Sequence, residues 1–555
     1  MPHLLLQSIT LLAFWLLAFA FITAIGFARI PFRTQNGVLT ENKFNYFWYG
    51  LGKCILFLQL WNLFAPVNFF CWAILLPIAL DGLREMIKAR FFSSVKFPGW
   101  ITVVLMLLVA VFLITSSLDN SFIYDTIVYH FYCINWANHY PSTPGAANLY
   151  IYLAVNQSYF LYAAFLNGLW GHYAGACASN GLLTIAICTE IICNTKACFS
   201  GKKKVDFLSA FQLLFLPICI NAGVQNLSSP TPDVFVNVFT FKVLCDVIRC
   251  IEAKQITFQD IFLLAFYALF GMVMKLSFAG IGFGLLFMAL YWLIKTKRWK
   301  AAQIWPSIGI YALLVLPWIV RGGIASGYLG FPLTLFPLPV DWLILKGNVI
   351  NFADYIKGFA RSHLHGPPAI EAAHNYSWVH DWIIRMLSTL GAVLPVCLCI
   401  GLIVWFRIRR TNTRKLNLFL IPVLITLAFW FFMAPDIRFA PFTFWALGLA
   451  PLAFLIAGFN YKWLKAMPVV IFICACAVMY KNRNLDMQPI GDVPKINNPG
   501  IFTTRSGLKI NIVHNNPGED HWEIGDCNIP CSVFPDSALT LRGKTITEGF
   551  RIERK

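Results

Sequence analysis

The stretch "LLLQSITLLAFWLLAFAFITAIGF" (Leu4–Phe27) indicates the class of fold. It contains no charged side chain and, as a helix, is long enough to cross the roughly 30 Å hydrocarbon core of a bilayer. It lacks the basic start and the cleavage site of a signal peptide, so we predict a retained membrane span. Similar runs recur along most of the 555-residue chain, which is 58% hydrophobic and only 12% charged. Because these runs are not the short alternating segments of a barrel, the sequence predicts an all-α polytopic membrane protein.

The apolar runs predict about fourteen transmembrane helices within a transmembrane domain over residues 1–480. Two long loops, 118–157 and 321–381, interrupt the pattern. Residues 481–555 combine Asn-Pro and Pro-Gly turns with alternating stretches such as "LKINIV" (Leu508–Val513), which predicts a small β-rich extramembrane domain. The predicted spans are 4–26, 47–64, 67–83, 99–117, 181–199, 206–223, 232–250, 258–274, 277–294, 302–320, 385–406, 416–433, 439–458 and 465–480.

The basic residues predict the orientation of the chain in the membrane. Seven clusters of Arg and Lys, among them Lys202, Lys203 and Lys204, fall between the spans, and all seven lie on one side. Because basic loops stay in the cytoplasm, both termini and both long loops are predicted to face outward. The net charge of +18 therefore reflects membrane topology, and we expect membrane lipids but no nucleic acid as partners.

The outward C-terminal domain contains two closely spaced cysteines, Cys527 and Cys531, in the string "GDCNIPC". An oxidising compartment favours a local disulfide between them, whereas a pair of free thiols is the alternative. The sequence alone leaves both states open.

The outward stretch "SFIYDTIVYHFYCINWANHY" (Ser121–Tyr140) contains one acid, Asp125, among aromatic side chains. A partly apolar environment raises the basicity of a carboxylate, so Asp125 is a candidate general base; an exposed loop acid without a role is the alternative. His130 lies five residues later, about 140° away on an α-helix, so the two side chains need not share a face. We expect His130 to bind substrate.

Three cations lie at outward span ends, where basic residues are disfavoured: Lys275, Arg321 and Arg438. An anionic ligand near the lipid headgroups, such as a lipid-linked phosphate, would explain all three, whereas each one alone could extend to a headgroup. Asp233 in "PTPD" is either a substrate ligand or a helix cap, and Asp436 is expected to hold Arg438 in place.

The second long loop contains His363 and His365, which we expect to bind substrate. Their spacing matches no closed zinc site, so we predict no metal centre. Glu190 and Lys242 fall inside predicted spans, where they favour coupled transport or, alternatively, a structural ion pair.

Several strings together resemble the GT-C superfamily of membrane glycosyltransferases. They are "D-x-x-x-Y-H" from Asp125 to His130, "PTPD", "PWIVRGGIASGYLGFPL" and "PDIRFA". The chain is more closely similar to a bacterial family of multi-pass membrane proteins assigned to that fold, with which it shares "YDTIVYH", "GAANLY" (Gly145–Tyr150) and the spacing of motifs in the tail.

The resemblance implies transfer of a sugar from a polyprenyl-phosphate donor to a glycan, glycolipid or protein acceptor on the periplasmic side of a bacterial inner membrane. Asp125 would be the base, while Lys275, Arg321 and Arg438 would hold the phosphate. Several superfamily members have two adjacent acids in the first loop where this chain has one, so we expect no cofactor and disfavour a divalent metal. The alternatives are a ligase or polymerase of lipid-linked glycans, a flippase or transporter of such glycans, and a non-catalytic assembly partner.

Overall fold

The computed structural model describes residues 2–29, 37–91, 99–119, 122–199, 205–223, 226–297, 300–458, 467–483, 487–493, 500–513 and 524–553. Parts of the two predicted domains therefore lie outside the described residues. They include 120–121 in the first long loop and 484–486, 494–499, 514–523 and 554–555 in the predicted C-terminal domain. The described chain is mostly helical and has a small β unit near its C-terminal end.

The described part of the first half of the chain forms twelve α-helices. They are α1 (Pro2–Phe27), α2 (Val38–Glu41), α3 (Asn45–Trp61), α4 (Phe69–Lys88), α5 (Trp100–Ser117), α6 (Phe131–His139), α7 (Ala146–Leu149), α8 (Tyr159–Leu169), α9 (Ala174–Cys177), α10 (Ser179–Phe199), α11 (Phe207–Gly223) and α12 (Pro232–Glu252).

Ten further α-helices follow in the described residues. They are α13 (Phe258–Met274), α14 (Ala279–Thr296), α15 (Ala301–Ser326), α16 (Lys346–Ser362), α17 (Pro367–Ala372), α18 (Trp378–Ser388), α19 (Leu390–Ile408), α20 (Arg414–Met433), α21 (Pro441–Gly458) and α22 (Met467–Lys481). Shorter turns of other helix types lie at Thr126–His130, Ile151–Ala154, Leu276–Phe278, Ile437–Phe439 and Ile546–Glu548.

A helix covers most of each predicted span, as the apolar patterning indicates. Six helical segments in the described residues are long and apolar enough to cross a membrane. The protein therefore has the helices of a multi-pass membrane protein. These six segments are His3–Phe27, Ala174–Cys198, Leu276–Thr296, Ala302–Ser326, Leu390–Ile408 and Arg414–Met433.

Helices α1 and α3 pack closely because glycines remove side chains from their interface. A Cβ atom on Gly50 would lie 1.9 Å from the Ile22 carbonyl oxygen, and one on Gly26 would lie 1.9 Å from the Tyr46 carbonyl oxygen. Small residues of this kind let the backbones of neighbouring helices approach, which is the usual basis of helix association in apolar surroundings. The indole of Trp15 then donates to the Ala178 carbonyl at 2.9 Å and joins α1 to the segment before α10.

The β unit near the C-terminus contains two small sheets. β1 (Gly500–Thr503) pairs antiparallel with β2 (Lys509–Ile512), which pairs in parallel with β3 (Cys531–Ser532). β4 (Leu539–Leu541) pairs antiparallel with β5 (Phe550–Ile552). A disulfide joins Cys527 to Cys531, the bonded state of the two alternatives for this pair.

This C-terminal unit packs on the first long loop and is joined to the second. Its Ile510, Cys531 and Phe550 share an apolar cluster with Tyr132 and Trp136 of α6. Separately, Arg542 and Arg551 both contact the carboxylate of Asp341, which precedes α16: the Nε of Arg542 donates to both oxygens at 3.0 Å. The side-chain hydrogen bond from Arg542 holds the pKa of Asp341 below its usual value.

We predict that Gly50→Ala lowers stability by about 1–3 kcal/mol, because the new methyl group would overlap the Ile22 carbonyl unless α1 and α3 move apart. Thermal unfolding of the purified protein in detergent measures the effect. The matched control is Gly401→Ala in α19, where nothing lies within 4 Å of the new Cβ. Equal unfolding temperatures for the two variants would contradict the close packing of α1 on α3.

Candidate functional site

Asp125 immediately precedes a π-helical turn at Thr126–His130, in which the Phe131 N–H donates to the Thr126 carbonyl five residues earlier. Such turns are rare and frequently lie at functional sites. Because the turn is π-helical, the α-helical offset of about 140° between Asp125 and His130 does not apply to it.

Two ion pairs form the centre of the site. Lys275, at the end of α13, donates to Asp233 in the first turn of α12, and the two side chains are only 12% and 14% exposed. Arg438 Nη1 lies 3.3 Å from Asp125 Oδ2. The ring of Phe439 lies under both cations, 5.6 Å from Lys275 Nζ and 4.8 Å from Arg438 Cζ.

Asp436 links these pairs to the second long loop. Its Oδ1 accepts from the Arg438 backbone N–H at 2.9 Å, and its Oδ2 lies 2.9 Å from His363 Nε2. His365 lies at the margin, where its Nδ1 is 3.1 Å from the Tyr355 hydroxyl. Phe359 packs against both histidine rings, so α16 contributes this side of the site.

Burial shifts the pKa values of Asp125 and His130. Burial raises the pKa of Asp125, and Arg438 opposes the shift by favouring the carboxylate. About 30% of the Asp125 side chain remains exposed, so a ligand can reach it. Burial lowers the pKa of His130 to about 3, helped by the charge of Lys275. His130 is therefore neutral near pH 7, and its Nδ1 lies 2.9 Å from the Thr126 hydroxyl.

Tyrosines that sequence reasoning did not select form a wall of the site. Tyr129 stacks on Tyr152 with ring centroids 4.5 Å apart. Burial, followed by the charge of Asp125, raises the pKa of both phenols. Tyr355 also lies near enough for the Asp125 charge to contribute to its raised pKa. The density of aromatic residues in the stretch around Asp125 was the available signal, but it did not indicate Tyr355 in the second loop.

The five charged side chains at the centre comprise three carboxylates and two cations. Each cation is paired, yet 45% of the Arg438 side chain is exposed, so an anion can still contact the guanidinium. Within the described residues, no group of three or more His, Cys, Asp or Glu side chains is arranged to hold a metal ion. The arrangement offers a basic carboxylate next to a guanidinium and an ammonium, the elements of proton abstraction beside a bound anion.

Arg321 does not join this cluster. It lines a separate small cavity, where its Nε donates to Ser142 Oγ at 3.3 Å. Among the predicted binding residues, the structure thus brings together His130, Asp233, Lys275, His363, Asp436 and Arg438 around Asp125, leaves His365 at the edge and separates Arg321.

The C-terminal unit supports the turn that follows Asp125. The Gly525 N–H donates to the Ile127 carbonyl at 2.8 Å. The hydroxyl of Tyr132 donates to the Cys531 carbonyl at 2.9 Å and accepts from the Cys531 N–H at 2.8 Å. The residues of the disulfide therefore contact the same segment that carries the acid.

Comparison with known families assigns the chain to one family. The model described as "Domain of unknown function (DUF8201)" matches residues 9–445, most of the chain, and the protein belongs to this family. No curated protein and no solved structure matches the chain. The matched range includes Asp125, Asp233, Lys275 and Arg438, whereas the C-terminal β unit lies beyond it.

We predict that the buried, neutral His130 makes stability depend on pH. The unfolded chain binds a proton on this histidine below about pH 6.5, whereas the folded chain does so only near its lowered pKa of about 3. Stability should therefore fall as the pH drops from 6.5 toward 3, by at most about 1.4 kcal/mol per pH unit from this group. Unfolding temperatures from pH 7 to 4.5 measure the slope.

His130→Gln should flatten this pH dependence, because the replacement does not titrate. The control is His139→Gln, which changes an exposed histidine on the same helical segment and should leave the slope unchanged. Identical slopes for the wild type and His130→Gln would contradict the buried neutral state.

Proposed function

We propose that the protein is a GT-C-type glycosyltransferase that moves a sugar from a polyprenyl-phosphate donor to an acceptor hydroxyl on the periplasmic face of a bacterial inner membrane. The single observation that carries the proposal is the convergence of Asp125 with Arg438 and Lys275, a basic carboxylate beside two cations. These residues come from three distant parts of the sequence. The resemblance of the sequence motifs to those of GT-C enzymes supports the same function.

In this reaction Asp125 is the general base. It takes the proton from the acceptor hydroxyl as the acceptor oxygen bonds to the anomeric carbon of the donor sugar. The bond from that carbon to the phosphate oxygen breaks, and the lipid phosphate leaves with the electron pair. The raised pKa of Asp125 suits this role, because a carboxylate that is too acidic accepts a proton poorly.

Lys275 and Arg438 hold the phosphate that leaves. The guanidinium offers planar, bidentate hydrogen bonds and the ammonium a compact charge, both of which stabilise the negative charge that grows on the phosphate. Asp233 and Asp436 position the two cations, since each contacts the cation or its backbone directly. His363 and His365 are exposed and lie where hydroxyl groups of a sugar could hydrogen-bond, whereas His130 is only 1% exposed and packs behind the site.

In the proposed membrane topology the chain crosses the membrane about fourteen times, and both termini and the site lie on the periplasmic side. Two features support it. Helix α13 has Lys254 before its first residue and Lys275 after its last, so the basic cytoplasmic loop and the site lie at opposite ends of this helix. The Cys527–Cys531 disulfide contacts the site segment, and disulfides persist in oxidising compartments such as the periplasm.

A ligase or polymerase of lipid-linked glycans would use the same chemistry, and one observation favours it as a second candidate function. The second long loop contributes His363 to the site through Asp436, as expected of a loop that helps to bind a large acceptor.

Glu190 and Lys242, the residues that favoured transport, each form an ion pair within the protein. Lys242 donates to Asp246, and Arg249 contacts both Asp246 and Glu190, at 2.7 and 3.1 Å. These two acids and two bases balance in charge, which supports a structural ion network rather than a coupling site.

A membrane assay with a panel of labelled polyprenyl-phosphate sugars tests the proposal. We predict that Asp125→Asn lowers the rate of sugar transfer by about 10²–10⁴-fold, because the amide cannot accept the proton. Arg438→Gln should also lower the rate. The matched control is Asp381→Asn, which changes a carboxylate that is 82% exposed in the second long loop and should retain full transfer.

The readout requires that each variant be inserted and folded, as judged by its unfolding temperature. Transfer at the wild-type rate by Asp125→Asn would remove the base assignment. Absence of transfer from every donor, together with movement of lipid-linked glycan across the membrane that depends on Glu190, would replace the enzyme with a transporter.

A further inference from the structure

Arg321 is partly buried, and within the described residues it forms no ion pair with an acid. Its Nε donates to Ser142 Oγ at 3.3 Å, but its Nη1 is buried and has no hydrogen-bond partner among the described residues. It lines a cavity of about 50 Å³ together with Asn62, which follows α3, and residues of α6, the 141–157 segment and α8. The residues that line this cavity include no Asp or Glu.

A buried charge is normally paired, coordinated or removed by a proton shift. A guanidinium does not lose its proton in proteins, so the third route is closed to Arg321. Arg321 lies in α15, inside the apolar segment Ala302–Ser326, where an isolated charge is costly. Since no described acid lines the cavity, an anion that enters it would supply the counter-charge of Arg321.

The size of the cavity limits what can enter. A single water needs roughly 10–15 Å³ by the same measure of volume, so the cavity holds about three or four waters, or one small anion with a water. A lipid phosphate with its sugar is far too large. This volume separates the Arg321 cavity from the cluster around Asp125, which must admit a lipid-linked donor.

The polar groups around the cavity suit an anion. The hydroxyl of Ser142 and the side chain of Asn62 lie on one side and are already hydrogen-bonded to each other at 3.3 Å. The Gln157 side-chain oxygen is buried and has no hydrogen-bond partner among the described residues. A 180° rotation of this amide exchanges the oxygen for its NH₂ group, which provides a second donor beside the guanidinium.

We propose that this cavity binds a small monovalent anion of halide size, chloride under physiological conditions, on Arg321. The anion neutralises the guanidinium and joins α15 to Asn62, just after α3, and to the 141–157 segment, which leads from the Asp125 region into α8. This binding site does not depend on the proposed sugar transfer.

Thermal unfolding of the full-length protein in detergent tests the site when sodium gluconate is replaced by sodium chloride at constant ionic strength. Chloride should raise the unfolding temperature of the wild type in a saturable way, because a ligand that binds only the folded state stabilises it. Arg321→Gln should abolish this chloride-dependent shift. Arg409→Gln is the matched control, since Arg409 is exposed, lies over the ring of Trp405 outside this cavity, and should keep the shift.

Should Arg321→Gln fail to fold, anomalous scattering from bromide in crystals of the wild type provides the second measurement. A bromide peak within hydrogen-bond distance of Arg321 Nη1 would support the site. Wild-type stability that does not respond to chloride, with no bromide peak, would show that water alone fills the cavity and would overturn the proposal. A chloride shift that persists in Arg321→Gln would overturn it as well.

Discussion

The ion pair between Lys275 and Asp233 is the interaction on which the candidate site depends. Both side chains are largely buried, and a charge in apolar surroundings is stable only when it is paired. The pair joins the end of α13 to the start of α12 and fixes an ammonium group near Asp125. Arg438 completes the arrangement, because it contacts Asp125 through its side chain while its backbone is held by Asp436. Loss of Lys275 or Asp233 would leave the other charge largely buried and without its ion-pair partner.

The π-helical turn after Asp125 gives this arrangement its geometry, and the C-terminal unit supports the turn. The backbone of Gly525 and the backbone of Cys531 both hydrogen-bond to the segment that follows the acid. The C-terminal β unit is thus a structural part of the site although it lies outside the matched family region.

Much of the fold could be predicted from sequence, because a helix in lipid needs a long apolar run and such runs are visible by inspection. Most residues of the site could also be selected, since cations at the predicted outward span ends are disfavoured in such a chain. The π-helical turn and the direction of the Arg321 side chain could not be predicted from the sequence. Both depend on packing between segments far apart in sequence, and the Arg321 guanidinium points toward Ser142 rather than Asp125. The tyrosines near Asp125 could not be predicted as a group either, because Tyr129 and Tyr152 lie in the first long loop and Tyr355 lies in the second.

A structure of the protein with a bound polyprenyl phosphate would test the central claim most directly, since this ligand cannot react. The account predicts that the phosphate lies within hydrogen-bond distance of Lys275 Nζ and the Arg438 guanidinium, with Asp125 facing the position of the missing sugar. A phosphate held elsewhere in the bundle, with the ion pairs of Lys275 and Arg438 unchanged and distant from it, would contradict the account.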